Sequence, residues 1–318
     1  MTKKKKLLFS ILAVLCAALF SVIGVFAILE HISYAKITFP LHDTLPNGEG
    51  KKATVILLGG QSNASGCSRD DYLQKNVSPD QYSEYEKGYD NVYINYYVSA
   101  NNASYEFVKC ATKQGEEGTC FGPELGMAEK LNELYPDELF FIIKCAWGAT
   151  ELYTQWISPS SPGKTGQNYK EFVRFVQTSM DYLISKNYDV KIEGMCWMQG
   201  ESDSFSVETA TGYQMHLSNF IKDLRGNFSR YAPSDGIAFV DAYIAALPAY
   251  WVYYDLVNQS KQAAADADPM HVVFDTNAEG LTTLYEPIEN PDIPHYDSLS
   301  QLKLGYLFIE NLAQFLDV

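Results

Sequence analysis

Thr54-Val55-Ile56-Leu57-Leu58-Gly59-Gly60-Gln61-Ser62-Asn63 carries the decisive pattern of this 318-residue chain. Residues 54–58 are apolar or β-branched without a break, as in a strand buried on both faces. Gly59 and Gly60 let the backbone turn sharply, so Ser62 falls where a helix would begin. Runs of similar length and Val, Ile, Phe or Tyr content recur at 92–98, 139–146, 192–198 and 236–242. Between them, Phe172, Phe175, Val176, Ser179 and Leu183 share one helical face, and Tyr213, Leu217, Phe220, Ile221 and Leu224 share another. Ser298 followed by Gln301 reads as a capping box ahead of the stripe Leu302, Gly305, Tyr306, Ile309, Leu312 and Leu316. Strand-length runs alternating with amphipathic helices predict one α/β domain whose central parallel sheet is covered on both faces.

Ligands of open α/β sheets gather outside the carboxyl ends of the strands, so the residues that follow each run matter most. After the first run stands Gly59-Gly60-Gln61-Ser62-Asn63, after the third Trp147-Gly148-Ala149-Thr150, after the fourth Gln199-Gly200-Glu201-Ser202-Asp203. Before the last helix stands Asp292-Ile293-Pro294-His295. These residue types suit acyl transfer. Ser62 is a nucleophile once a base takes its proton, and His295 is the obvious base. Asp292, three residues earlier, is placed to turn back and orient the imidazole. The N–H groups of Ser62 and Gly148 and the side-chain amide of Gln199 are the expected oxyanion donors. Gln61, Asn63 and Glu201 are expected to support them, Glu201 through hydrogen bonds to loop N–H groups. Taken singly, each part has a bland reading: Ser62 as a helix cap, His295 as a surface histidine. The constellation in this chain order outweighs them. No G-x-S-x-G occurs, and the serine follows the first strand, which separates the chain from the α/β-hydrolase class.

The remaining chemistry is sparse. His216 and His271 read as structural, and no C-x₂-C or H-E-x-x-H metal spacing occurs, so no metal or cofactor is expected. Of Cys67, Cys110, Cys120, Cys145 and Cys196, the pair Cys110–Cys120 brackets a Gly-containing loop and is the most plausible bridge. Cys145 and Cys196 sit in strand-like runs and read as buried thiols.

Composition bounds the rest. With 47% apolar and 20% charged residues the chain can build a core, which excludes disorder. A balance of 24 basic to 39 acidic side chains argues against a nucleic-acid partner. Lys3 to Lys6 form the strongest basic run and precede 23 uncharged residues, 7–29. As a helix these would extend ~34 Å, enough for a ~30 Å hydrocarbon core. The expected organisation is a cytoplasmic basic segment 1–6, a transmembrane signal anchor 7–29, a tether 30–52 and an extracellular domain 53–318. The competing reading is a signal peptide cleaved after Val25-Phe26-Ala27, although such apolar regions normally run only ~7–15 residues. Without the four lysines the charge is −19, which favours a neutral polymer over a polyanion as substrate. Tyr72, Tyr82, Tyr85, Tyr89, Tyr93, Tyr96, Tyr97 and Tyr105 crowd one stretch, a candidate surface for sugar rings.

Five stretches in order resemble the SGNH hydrolases, in the branch of carbohydrate esterase family 6 and the sialate O-acetylesterase-like domains. They are Gly60-Gln61-Ser62-Asn63, Phe121-Gly122-Pro123-Glu124-Leu125-Gly126, Lys144-Cys145-Ala146-Trp147-Gly148-Ala149-Thr150, Trp197-Met198-Gln199-Gly200-Glu201-Ser202-Asp203 and Asp292-Ile293-Pro294-His295. The resemblance spans about residues 54 to 310. It implies a flavodoxin-like three-layer α/β/α sandwich and metal-free serine esterase chemistry releasing acetyl groups from an acetylated glycan. It also implies Ser62 as nucleophile, His295 as base, Asp292 as orienting acid, and Ser62, Gly148 and Gln199 as oxyanion donors. Ala149 departs from the usual second glycine. Two rivals stand beside this: a non-catalytic glycan-binding surface protein on the same fold, and an esterase for lipid or thioester substrates.

Overall fold

The computed structural model describes residues 37–99 and 102–317. Strand β1, Lys52–Gly60, occupies the middle of a sheet because Val55, Ile56, Leu57 and Leu58 are all fully shielded from water. Burying each such side chain contributes ~1.5–3 kcal/mol. The other parallel strands are β2, Val92–Val98; β3, Phe140–Ala146; β4, Asp189–Met198; β5, Ala238–Ala242; and β6, His271–Phe274. Across the sheet they run β2-β3-β1-β4-β5-β6. Two short strands, Asn102–Ala103 and Val108–Lys109, pair antiparallel with the outer edge at β2. Every strand-length run singled out in the sequence is a strand. β6 was missed because it is only four residues long and opens on a histidine.

The flavodoxin-like expectation needs correction at this point. That order places the second strand beside the first, 2-1-3-4-5, whereas here β3 takes the place next to β1 and β2 lies outside it. The consequence bears directly on the site. β1 lies between β3 and β4 in a register that sets Gly60 opposite both Ala146 and Met198. The three polar stretches that follow these strands therefore leave the sheet at one level, side by side.

The α-helices are α1 (Ser62–Ser65), α2 (Asp70–Asn76), α3 (Pro79–Lys87), α4 (Glu124–Leu134), α5 (Gln167–Ser185), α6 (Val207–Phe228), α7 (Tyr254–Asp266) and α8 (Ser298–Leu312), and a separate two-stranded sheet pairs Ser68–Arg69 with Cys120–Phe121. Alternate residues of β4 meet different helices. The Trp197 ring packs 4.7 Å from that of Phe220 on α6, while a Cβ at Gly194, on the opposite face, would lie 2.4 Å from Leu312 on α8. Helices thus cover both faces of the sheet. α4 and α8 touch backbone to backbone, since a Cβ at Gly126 would fall 2.1 Å from the Leu302 carbonyl oxygen and one at Gly305 2.2 Å from that of Pro123. Only glycine at both positions allows so close a crossing. The expected capping box is not formed. Asp297 precedes α8, Glu286 takes the Ser298 N–H at 2.7 Å, and Gln301 instead donates to the Asn63 carbonyl at 2.8 Å. The last helix is thereby tied to the turn that carries Ser62.

Three further expectations change. Residues 39–51, expected as part of a tether, belong to the compact unit Phe39–Val318: the N–H groups of Thr44 and Leu45 donate to the Tyr182 hydroxyl, and Gly48 N donates to Lys186 O. The anticipated Cys110–Cys120 bridge is absent; both are free thiols, and Cys110 Sγ instead lies 3.4 Å from the Glu124 carbonyl. At least three of the tyrosines between 72 and 105 serve packing. Tyr82 and Tyr85 are buried, with hydroxyls donating to Asp70 and Glu129, both at 2.6 Å, and Tyr97 packs among the rings of Phe39, Trp147 and Phe175. The expected span 7–29 and the segment 1–6 lie outside the described residues. Among the described residues no helix is long and apolar enough to cross a membrane.

Two buried cations interrupt the apolar sheet region. Lys144 on β3 meets Glu124 on α4 at 2.7 Å with both side chains fully buried, and Lys261 on α7 meets Asp241 on β5 at 2.5 Å. Beside the second pair lies His271, its Nε2 4.0 Å from Asp241. Burial holds the His271 imidazole down at about 4, so the folded protein keeps it neutral where an unfolded chain would protonate it. The resulting stability is complete above pH ~6.5 and is lost as pH falls through about 4, in all about 3 kcal/mol. In His271→Phe, which retains a ring against Phe239, the fall in unfolding free energy between pH 6.5 and 4 should be visibly shallower than in wild type. Denaturant titrations at stepped pH measure it, and identical slopes would refute it.

Candidate active site

At the end of β1 the chain makes a turn that only glycine accommodates. Gly60 has φ +139°, and a Cβ there would fall 1.9 Å from the Met198 carbonyl oxygen. Gln61 N donates to that same oxygen at 2.9 Å, and Trp147 N donates to Gly60 O at 3.2 Å, so the turn is pinned to both neighbouring strands. Ser62 then opens the one-turn helix α1, whose first N–H has no helical partner. Among the described residues nothing accepts from the N–H of Ser62 or of Gly148. Ser62, 8% exposed, and Gly148 line one cavity of about 680 Å³, which His295 shares.

His295 is held from two directions. Its Nδ1 lies 2.7 Å from Asp292 Oδ2, and its backbone N–H donates to Asp292 O at 2.9 Å, which closes the tight turn expected of Asp-x-x-His. This leaves Nε2 for a proton from elsewhere. Asn63 fixes the same loop: its Nδ2 donates to Pro294 O at 3.2 Å and its Oδ1 accepts from Tyr296 N at 3.2 Å. The residue after Ser62 thus clasps the chain on either side of His295. Asn63 Nδ2 also donates to Glu201 Oε1 at 2.9 Å. Glu201 is buried, which pushes its carboxyl up, while the Asn63 side chain and a backbone N–H of its own loop hold the charged form. Gln61 accepts from Ser202 Oγ at 3.0 Å, linking the turns after β1 and β4.

Gln199 departs from its expected role. It is fully buried, and its Nε2 donates to Thr150 O at 2.9 Å and Asp203 Oδ2 at 2.6 Å. Both amide protons are therefore taken, and none points at a substrate oxyanion. Its Oε1 accepts from the Tyr213 hydroxyl at 2.9 Å. Asp203, pushed up to about 7 by burial, also accepts from the N–H groups of Leu152 and Tyr153. Gln199 and Asp203 together fasten the loop after β3, which carries Gly148, to the loop after β4. Of the three expected oxyanion donors, the two backbone N–H groups are those without an acceptor among the described residues.

The cavity also contains residues that sequence reasoning passed over. Glu116 comes from the loop read only as the span between two cysteines. Phe205, 57% exposed, and Trp251, with ring centroids 5.5 Å apart, line it as well, and Tyr250 adjoins Trp251. No tyrosine from 72–105 lines it. Ala149 lines it from an exposed position with φ +55°, a conformation that favours the glycine it replaces. His216 is buried against Tyr153, and neither it nor His271 lines the cavity.

A comparison with family models matches residues 52–314 to the carbohydrate esterases described as sialic acid-specific acetylesterases. The chain belongs to this family. It is accordingly a carboxylic ester hydrolase with carbohydrate esterase activity. Among solved structures, a protein from Arabidopsis thaliana shares 18% identity at TM-score 0.61, covering 86% of this chain and 100% of its own. NanS shares 16% at TM-score 0.61, with 86% and 99% covered. XAC1771, a carbohydrate acetylesterase from Xanthomonas citri, shares 15% at TM-score 0.56, with 83% of this chain and 57% of that one covered. At these identities the likeness is one of fold. A comparison with curated proteins returned no match.

Proposed function

We propose that this esterase removes O-acetyl groups from a glycan through Ser62, His295 and Asp292. The observation that carries the reading is that Ser62 shares its cavity with a histidine whose far ring nitrogen is bound by a carboxylate. Ser62 Oγ attacks the acetyl carbonyl carbon as His295 Nε2 takes its proton, and the N–H groups of Ser62 and Gly148 receive the negative oxygen. Collapse breaks the ester bond, and His295 returns the proton to the departing sugar hydroxyl. Water, deprotonated by His295, then attacks the acetyl-enzyme, and acetate leaves with Ser62 regenerated. Asp292 orients the ring and supports its charge.

Phe205, exposed at the cavity beside the Trp251 ring, is available to the C–H surfaces of a sugar, which favours a glycan over a bare acyl ester. In Phe205→Ala, the KM for an acetylated oligosaccharide should rise about 3–10-fold, with a smaller change on nitrophenyl acetate. Equal changes on both substrates would remove the ring from substrate binding. Acetate release by residues 31–318 from a panel of acetylated glycans, lipid esters and thioesters tests the reaction itself. Turnover confined to acyl chains longer than acetyl would count against it.

We further propose that the catalytic domain is extracellular and anchored by residues 7–29 with the N-terminus cytoplasmic, on the strength of the four lysines before that span. Membrane fractionation with protease protection tests this. A soluble, shortened product would favour cleavage near Ala27.

A further inference from the structure

We propose that Glu116 sets the charge specificity of this site: its carboxylate accepts a hydroxyl of a neutral sugar and repels sugars that carry a carboxylate. The proposal rests on Ser62 being the centre of carbohydrate deacetylation. The geometry puts Glu116 beside the reacting atoms. A Cβ at Gly148 would lie 2.7 Å from Glu116 Oε1 and 3.5 Å from Ser62 Cβ, so the carboxylate and the serine flank the same glycine from within one cavity.

The charge is not compensated. Among the described residues Glu116 accepts side-chain hydrogen bonds only from neutral donors, Ser99 Oγ at 2.7 Å and Cys67 Sγ at 3.1 Å. Two hydrogen bonds leave lone pairs for a substrate hydroxyl, since an ionised carboxylate offers about four acceptor sites. Among the described residues no Lys or Arg lines this cavity. A second cavity of about 600 Å³ shares Glu116 and His295 and adds Asp70, Asp71, Glu117 and Asp292 against only Arg69 and Lys113. Both of those cations already pair with carboxylates, Arg69 through Nε with Asp71 at 2.9 Å, Lys113 with Glu86 at 3.1 Å and Asp70 at 3.4 Å. A sialate would bring its carboxylate into a field where five carboxylates outnumber these two cations, whereas a neutral sugar would lose nothing. The family description names sialic acid; the charges around Ser62 in this chain oppose it.

The test compares kcat/KM of the purified protein for 6-O-acetylglucose and 9-O-acetyl-N-acetylneuraminate, each at low and at about 0.5 M salt, with nitrophenyl acetate as reference. Wild type should favour the neutral sugar by about 10–100-fold, and salt should narrow the gap because it screens like-charge repulsion. Glu116→Gln should lower turnover of the neutral sugar several-fold, raise that of the sialate, and weaken the salt effect on their ratio. Glu116→Asp, which keeps the charge, should keep the preference. A ratio measured within one variant does not depend on how much of it folds, and the wild-type salt effect needs no variant. Preference of wild type for the sialate, or a ratio unchanged in Glu116→Gln, overturns the proposal while leaving the esterase reading intact. Failure to cleave even nitrophenyl acetate would remove the esterase reading and this proposal together.

Discussion

Ser62→Ala should abolish acetate release, with kcat reduced about 10⁴–10⁶-fold and the fold unchanged. The size follows from the way a nucleophile and its base act as one unit: losing either leaves only the catalysis that oxyanion donors and binding supply. In the proposed mechanism those residual donors are the backbone N–H groups of Ser62 and Gly148, which the alanine keeps. The hydroxyl itself makes no hydrogen bond that supports the fold among the described residues, and alanine suits the first turn of α1. Thermal melting should therefore stay close to wild type. His295→Ala should fall in the same range, and the double variant should be scarcely worse than either single one. Multiplying losses would mean that the two residues act independently, and a Ser62→Ala enzyme keeping more than about 1% of activity would eliminate Ser62 as nucleophile. Covalent labelling by a fluorophosphonate, lost in Ser62→Ala and retained in Phe205→Ala, gives a readout independent of the natural substrate.

Lys144→Met should produce the largest loss of stability. Lys144 and Glu124 meet at 2.7 Å with no exposure of either side chain. Removing one partner strands the other charge in the interior, which typically costs about 3–5 kcal/mol. The damage should not stop at stability. Lys144 Nζ donates to Gln114 O at 2.9 Å, and Glu124 Oε1 accepts from Gly122 N at 2.8 Å, so the pair holds both ends of the loop that presents Glu116. Denaturant unfolding should show the midpoint shift, and the surviving folded fraction should discriminate less well between neutral and anionic sugars. Lys144→Met combined with Glu124→Gln removes both charges and should recover part of the stability, because matched neutral replacements avoid the stranded ion. A double variant less stable than the single one would show that the pair's attraction, not the penalty of an orphaned charge, dominates.

Much of the architecture was legible because burial on two faces leaves an unbroken apolar run, which is why β1 to β5 could be located. Helices α5, α6 and α8 were legible from their stripes. The short β6 carried no such signal, and β3 beside β1 could not be read from the pattern, since any parallel order satisfies the same hydrophobicity. Ser62 stood out because it follows a strand end, and Asp292 and His295 because they stand three residues apart just before the last helix. Gln199 was misread for a related reason. Sequence shows that an amide is near the site but not where its two protons go, and Thr150 and Asp203 take both. The tyrosine surplus misled in the same way, as ring count says nothing about which face of the sheet a ring occupies.

By itself the sequence determined the α/β class, the strand ends where chemistry gathers and the residue types available for it, because hydrophobic period and turn chemistry are local properties. Tertiary structure alone decided what those residues can reach. It set β1 between β3 and β4, closed the Asn63 clasp around His295, turned the Gln199 amide onto Thr150 and Asp203 and brought Glu116 beside Gly148. Those outcomes depend on distances between segments far apart in the chain, and no local pattern records such distances.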